Sequence, residues 1–223
     1  WRRIRSEVSR RSPRARVAVA QGGRAHVQGV DRDALSVALE VLTTRNSQQV
    51  SEGLKLDAAR LAQLALGDVG PVRGRAAVFD GYGALLPPAA LSPVAGEVSR
   101  VIDSVFPSGS RELDDELARV TAMIASAEPR LLAKFLASPD PRSHPVTDLH
   151  LLITAARIPL ARTSVQRAQT ARILVGLQAK IDRGGLNQDS NWDDRVGELY
   201  VALCENDPRL PRAVLETPGF GLP

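Results

Sequence analysis

The residues best spaced for chemistry are the oxygen-bearing side chains of Asn187-Gln-Asp189-Ser-Asn191-Trp-Asp193-Asp194, with Glu198 eleven positions after Asn187. Asn187, Asp189, Asn191, Asp193 and Glu198 follow the ligand rhythm of a calcium loop, where six to eight oxygens surround a hard cation. Trp192 stands where such a loop needs a glycine for its sharp turn, and Asn187 replaces the leading aspartate. Gly184-Gly185 also stops the incoming segment short of the loop. The competing reading is an Asx-rich turn that caps the following helix and sends Trp192 into the core. No metal ligand set is assigned, and calcium is kept only as a weak candidate.

His144, Asp148 and His150 form a second cluster of ligand types. On a helix beginning near Pro145, Asp148 and His150 are separated by about 200° and face apart. Zinc needs converging ligands, and no fourth is nearby, so surface or capping histidines are expected. No catalytic residue is assigned. There is no Gly-x-Ser-x-Gly elbow, and Gly67-Asp-Val-Gly70 does not fit a phosphate loop. The lone cysteine, Cys204, excludes an internal disulfide and a Cys-x-x-Cys-His haem attachment, and its apolar surroundings predict a small buried hydrophobe. Residues 1–16 carry seven arginines, Arg2, Arg3, Arg5, Arg10, Arg11, Arg14 and Arg16, against Glu7 alone. Such a segment suits nucleic-acid phosphates, but no aromatic residues interleave it for base stacking. The exposed face of an upstream helix has the same composition.

The elements that must position these groups read as helices. In the 223 residues, 43% are apolar and only 4% aromatic, so Leu, Val, Ile and Ala must build the core. That palette favours helix on helix over a sheet sandwich. The net charge is +4, and Lys55, Lys134 and Lys180 are the only lysines among 29 basic residues. A high-GC genome produces that arginine bias without any function. No run approaches the eighteen apolar residues that suggest a membrane span. The first residue is Trp1, and a trimmed N-terminus is expected.

From Asp31 onward the apolar residues recur every three or four positions. The stripes include Leu35, Ala38, Leu39 and Leu42; then Leu113, Leu117, Val120 and Ile124; then Ile173, Leu174, Leu177 and Ile181. Each stripe lies on one helix face. Ser92-Pro93 and Asp207-Pro208 read as helix starts, as do Thr163 with Gln166 and Asn191 with Asp194. Gly184-Gly185 reads as a helix stop. About nine helices are expected, with pairs starting near residues 92, 129 and 164. The fold class is all-α. A degenerate HEAT-like solenoid of helical hairpins is the first choice of architecture, and an irregular helical bundle the second. Residues 1–30 are an Arg-rich, irregular lead-in, with a small hairpin open as an alternative around Gln21-Gly22-Gly23. Residues 31–66 form a first helical hairpin, residues 67–91 a Gly/Pro-rich loop or seam, and residues 92–223 a helical repeat block.

Several short phrases in order carry a family resemblance over residues 92–223. They are Phe106-Pro-Ser-Gly-Ser-Arg-Glu-Leu-Asp-Asp-Glu-Leu117, Pro145-Val-Thr-Asp-Leu-His-Leu-Leu-Ile153 with Arg157, Gly185-Leu-Asn-Gln-Asp-Ser-Asn-Trp192 with Arg195, and Asp207-Pro-Arg-Leu-Pro211. This region resembles the helical, HEAT-repeat-containing part of large planctomycete proteins of the membrane-bound dehydrogenase and haem-binding c-type cytochrome kind. The resemblance implies an exported, periplasmic parent protein in which a separate domain carries haem c for electron transfer. It also implies that this chain serves as a non-catalytic scaffold, docking other domains of the same polypeptide or protein partners. No residue here matches the haem motif or a dehydrogenase site, so no cofactor is assigned to this chain. The alternative is a nucleic-acid-binding helical repeat protein that uses its Arg-rich N-terminus.

Overall fold

The computed structural model describes residues 29–45, 50–67, 77–84 and 86–221. The Arg-rich residues 1–16 and most of the 17–30 segment lie outside the described residues, as does the Asp68–Gly70 end of the Gly67–Gly70 phrase. Among the described residues all regular structure is helical. The helices are α1 (Arg32–Thr43), α2 (Glu52–Ala65), a 3-10 turn (Ala77–Phe79), α3 (Pro88–Val105), α4 (Arg111–Met123) and α5 (Pro129–Ala137). They continue with α6 (Pro145–Arg157), α7 (Ser164–Gly184), α8 (Trp192–Asn206) and α9 (Leu210–Leu215).

Local chemistry sets most of these ends. Asp31 and Ser51 accept from the backbone N–H groups of Ala34 and Leu54, at 3.0 and 3.3 Å, and so start α1 and α2. Thr163 and Gln166 form a reciprocal capping box at α7: Gln166 N–H donates to Thr163 Oγ1 at 3.2 Å, and Thr163 N–H to Gln166 Oε1 at 3.0 Å. Gly185 ends that helix with φ at 58°, in the left-handed region where a Cβ is costly.

Three expected starts differ. Helix α3 begins at Pro88 rather than beside Ser92, and Pro93 lies inside it. Pro93 gives up one backbone bond, while the burial of Leu91 and Val94 on either side holds the extra turn in place. Asn191 makes no side-chain cap for α8. Its own N–H instead donates to Asp189 Oδ1 at 2.8 Å, an Asx turn one step earlier. Asp207 closes α8 and accepts from Arg209 N–H at 3.2 Å, so α9 starts only at Leu210.

The packing follows a rule of alternation. Odd-numbered helices pack in succession (α1 on α3, α3 on α5, α5 on α7, α7 on α9), and even-numbered ones do the same (α2 on α4, α4 on α6, α6 on α8). Contacts of α1 with α2, α3 with α4, α6 with both α5 and α7, and α8 with α9 join the two rows. The apolar stripes meet along this seam, and the buried core runs without interruption from Ala34 to Val214. Leu35 and Leu42 of α1, Leu61 of α2, Ile102 of α3 and Leu117 of α4 are all in it. Phe106 and Phe135 meet edge to face at 4.7 Å between ring centroids. Each such aliphatic or aromatic side chain contributes about 1.5–3 kcal/mol by leaving water.

Polar contacts also join successive helices. Gln63 of α2 donates to Glu116 Oε2 of α4 at 2.7 Å. Lys134 of α5 donates to the Phe106 carbonyl after α3 at 2.9 Å and pairs with the Asp103 carboxylate. Asn206 of α8 donates to the Ala156 carbonyl of α6 at 2.7 Å. No described helix is long and apolar enough to cross a membrane.

Candidate functional site

Residues 77–84, between α2 and α3, lie against the even-numbered row. Their 3-10 turn packs on α8, where Val78 N–H donates to Glu198 Oε2 at 3.2 Å. Phe79 is nearly buried under the Arg157 guanidinium, which lies 5.7 Å from the ring centroid. Tyr82 then reaches α6, its hydroxyl 2.5 Å from His150 Nδ1. Between this strap, the N-terminal end of α6, the end of α7 and the start of α8 lies a groove of about 570 Å³. Leu149, Ile153, Ile181 and Trp192 give it apolar walls, and Asp80, Asp189 and Arg195 stand at its polar edges. Val146 and Leu186, 59% and 37% exposed, also line it.

Of the residues with calcium-loop spacing, Asn187 and Asp189 line this groove, and Asp189 and Glu198 bond backbone N–H groups. Asn187, Asp189, Asn191 and Asp193 are exposed. Asp189 turns its Oδ1 back to Asn191 N–H, and Glu198 holds the 3-10 turn. Among the described residues, Asp189, Asp193 and Glu198 do not gather into a group of three acids of the kind that holds a metal ion. Trp192 is half-buried at the groove wall rather than in the core.

His144 caps α6, its Nδ1 accepting from Val146 N–H at 3.3 Å. His150 is not on the surface: it is 8% exposed, and Asp148 is 0% exposed. The two leave opposite faces of α6 for different partners. Asp148 accepts from Lys180 of α7 and from Ser143 Oγ, the latter at 2.5 Å. Lys180 also reaches Ser143 Oγ at 2.9 Å. Removing one partner of a buried pair of this kind strands the other charge, so the pair locks the 140–143 turn onto α7.

His150 sits among Tyr82, Asp115, Glu116 and Arg119. Its Nε2 lies 2.8 Å from the Asp115 backbone carbonyl, whereas the Asp115 carboxylate is 4.0 Å away. Burial lowers the histidine pKa, with the Asp115 charge opposing that shift, and burial raises the Asp115 pKa against the attraction of His150. A salt bridge shifts both in the opposite senses, so desolvation outweighs pairing here. The imidazole is neutral, donating through Nε2–H to the carbonyl and accepting the Tyr82 hydroxyl at Nδ1. Burial pushes the Tyr82 phenol up to about 12. Arg119 lies 5.6 Å from the Tyr82 ring centroid and pairs with Glu116 at 3.2 Å. Glu116 also pairs with Arg60 of α2 at 3.2 Å, so the chain of contacts runs from α2 through α4 and the strap to α6.

Cys204 is half-buried rather than buried. Burial raises its pKa, against a hydrogen bond with Tyr200 that lowers it. A thiol held in its protonated form is a poor nucleophile. The lysine lock and the Tyr82–His150 contact carry no motif. Lys180 stood out only as one of three lysines, and His150 only as a member of the His144, Asp148 and His150 cluster. What this arrangement offers chemically is recognition: an open apolar groove with charged edges, held in shape by buried polar ties. Compared with family models, with curated proteins and with solved structures, the chain matches none.

Proposed function

We propose that this chain is a helical interaction scaffold, built as a degenerate HEAT-like stack of hairpins, that holds domains of a larger exported redox protein in position. The haem c of that protein belongs to a separate domain. The observation that carries the reading is the alternation of contacts, odd helices on odd and even on even. Stacked hairpins of that kind bury one continuous core and leave long flanks free for partners. The groove beside Trp192 supports the same reading, because Val146 and Leu186 leave apolar surface on its lining. Chain-order similarity over residues 92–223 supplies the redox context.

The test starts from the reading frame around this chain, where an export signal upstream and a Cys-x-x-Cys-His module are expected. The chain and that module are then produced separately and mixed. We expect them to associate, and Leu186→Glu to weaken the association about tenfold without lowering the melting temperature, since Leu186 is 37% exposed. Haem binding, or turnover of an alcohol or sugar, by the chain unaided contradicts the proposal. Salt-sensitive DNA binding that disappears when residues 1–16 are removed replaces it with nucleic-acid recognition.

A further inference from the structure

A second groove, of about 440 Å³, lies on the odd-numbered row, between α7 and the turn that follows α5. Arg172, Gly176, Ala179 and Arg183 of α7 line it. Their spacing of four, three and four residues puts them on one helix face. Arg172 and Arg183 are eleven residues apart, about 16 Å along the axis at about 1.5 Å per residue. Both are exposed, and neither makes an ion pair with another described residue. Of the charges around them, only Lys180 is paired, while Asp140 on the groove lining and Asp182 bond neutral donors and keep their negative charge. Lys180 is held by Asp148, Asp140 Oδ1 accepts from Arg142 and Ser143 N–H, and Asp182 Oδ1 accepts from Gln178.

The opposite wall is fixed rather than adaptable. Lys180 donates to the Asp140 carbonyl, and Arg183 to the Pro141 carbonyl at 3.1 Å. Leu136, Ala137 and Ile173 add apolar surface to the lining. At the centre is Gly176, where a Cβ placed on the backbone meets nothing within 4 Å. The groove is therefore a preformed, partly apolar channel with a guanidinium outside any ion pair at each end, and its lining carries Arg172, Lys180 and Arg183 against the one carboxylate of Asp140.

We propose that this channel binds an extended acidic segment of a protein partner, with one carboxylate on Arg172, a second on Arg183 and small apolar residues over Gly176. In an extended chain at about 3.3 Å per residue, side chains four positions apart share one face and lie about 13 Å apart, and the long arginine and glutamate side chains close the remaining gap to about 16 Å. Guanidinium groups match carboxylates in a two-bond geometry. A nucleic-acid strand fits less well, because no aromatic ring lines the channel to stack a base. This inference rests on the scaffold reading and names one partner chemistry for a different face of it.

The experiment is a fluorescence-anisotropy titration of the full chain with a labelled synthetic peptide. The peptide carries two glutamates four positions apart with alanine and valine between them, and a control carries glutamine at both positions. We expect the acidic peptide to bind about tenfold tighter than the control, and the preference to shrink as salt rises. Arg172→Glu with Arg183→Glu removes that preference. Gly176→Leu fills the channel and weakens binding about tenfold, while the melting temperature holds or rises, because leucine is the better helix former. Equal affinity for the two peptides overturns the inference, as does unchanged binding by the double variant. Displacement of the peptide by single-stranded DNA at lower concentration overturns it in favour of a nucleic-acid groove. If these results come with intact docking at the Trp192 groove, the scaffold reading stands without this partner. Loss at both grooves removes the scaffold reading too.

Discussion

The Tyr82 hydroxyl and the His150 imidazole, 2.5 Å apart, tie a loop to the even-numbered row through one proton. That geometry has a pH consequence. Burial depresses the His150 pKa in the folded chain, while the unfolded chain takes up its proton near 6.5. Between those values the unfolded state binds more protons, so stability is full above about pH 6.5 and falls as pH drops below it. Asp115 acts with the opposite sign. Its raised pKa adds stability below the ordinary carboxylate range and loses it as pH climbs, so it cannot produce a loss on acidification. We expect the urea midpoint to decline from pH 7.5 to 5.5 and His150→Gln to flatten that decline. An equally steep decline in the variant assigns it to another group. None of this was legible in the sequence, because Tyr82 lies 68 residues from His150 and Lys180 lies 32 from Asp148. Periodicity placed Asp148 and His150 on different faces, but only packing supplies the partner that buries each.

The helices themselves were far more legible, since a stripe such as Leu35, Ala38, Leu39 and Leu42 is a local pattern and those four residues are all buried. Caps divide by how local they are. The Thr163–Gln166 box closes within one turn and stands where the sequence put it. The start of α3 moved from Ser92 to Pro88, where tertiary burial of Leu91 and Val94 outweighs the stop signal of Pro93. Asn191 lost its capping role to an Asx turn one step upstream. Thr163→Ala removes the oxygen that accepts Gln166 N–H. It is expected to cost about 1 kcal/mol, read as a lower urea midpoint at unchanged slope. A change of less than a few tenths means that the long α7 draws no net stability from its cap.

At the scale of the whole molecule, each helix depends on near neighbours along the chain, both in its own row and across the seam between rows. The all-α class followed from the aliphatic, aromatic-poor composition together with helical periodicity. The odd and even rows did not, because helical spacing fixes which face is apolar and not which helix covers it. The strap over α6 and α8 lies in a stretch that read only as a loop or seam, rich in glycine and proline, and its anchors, Val78, Phe79 and Tyr82, become visible only against Glu198, Arg157 and His150. A stacked array has approximately additive, nearest-neighbour stability, whereas a closed bundle shares one core that fails as a unit. The most direct measurement is the unfolding of a chain ending at residue 187, without α8 and α9, followed by circular dichroism. The stacked-scaffold account predicts that α1–α7 keep their helicity per residue and unfold cooperatively at a lower midpoint. Collapse of the whole chain to a non-cooperative, largely unfolded state contradicts it.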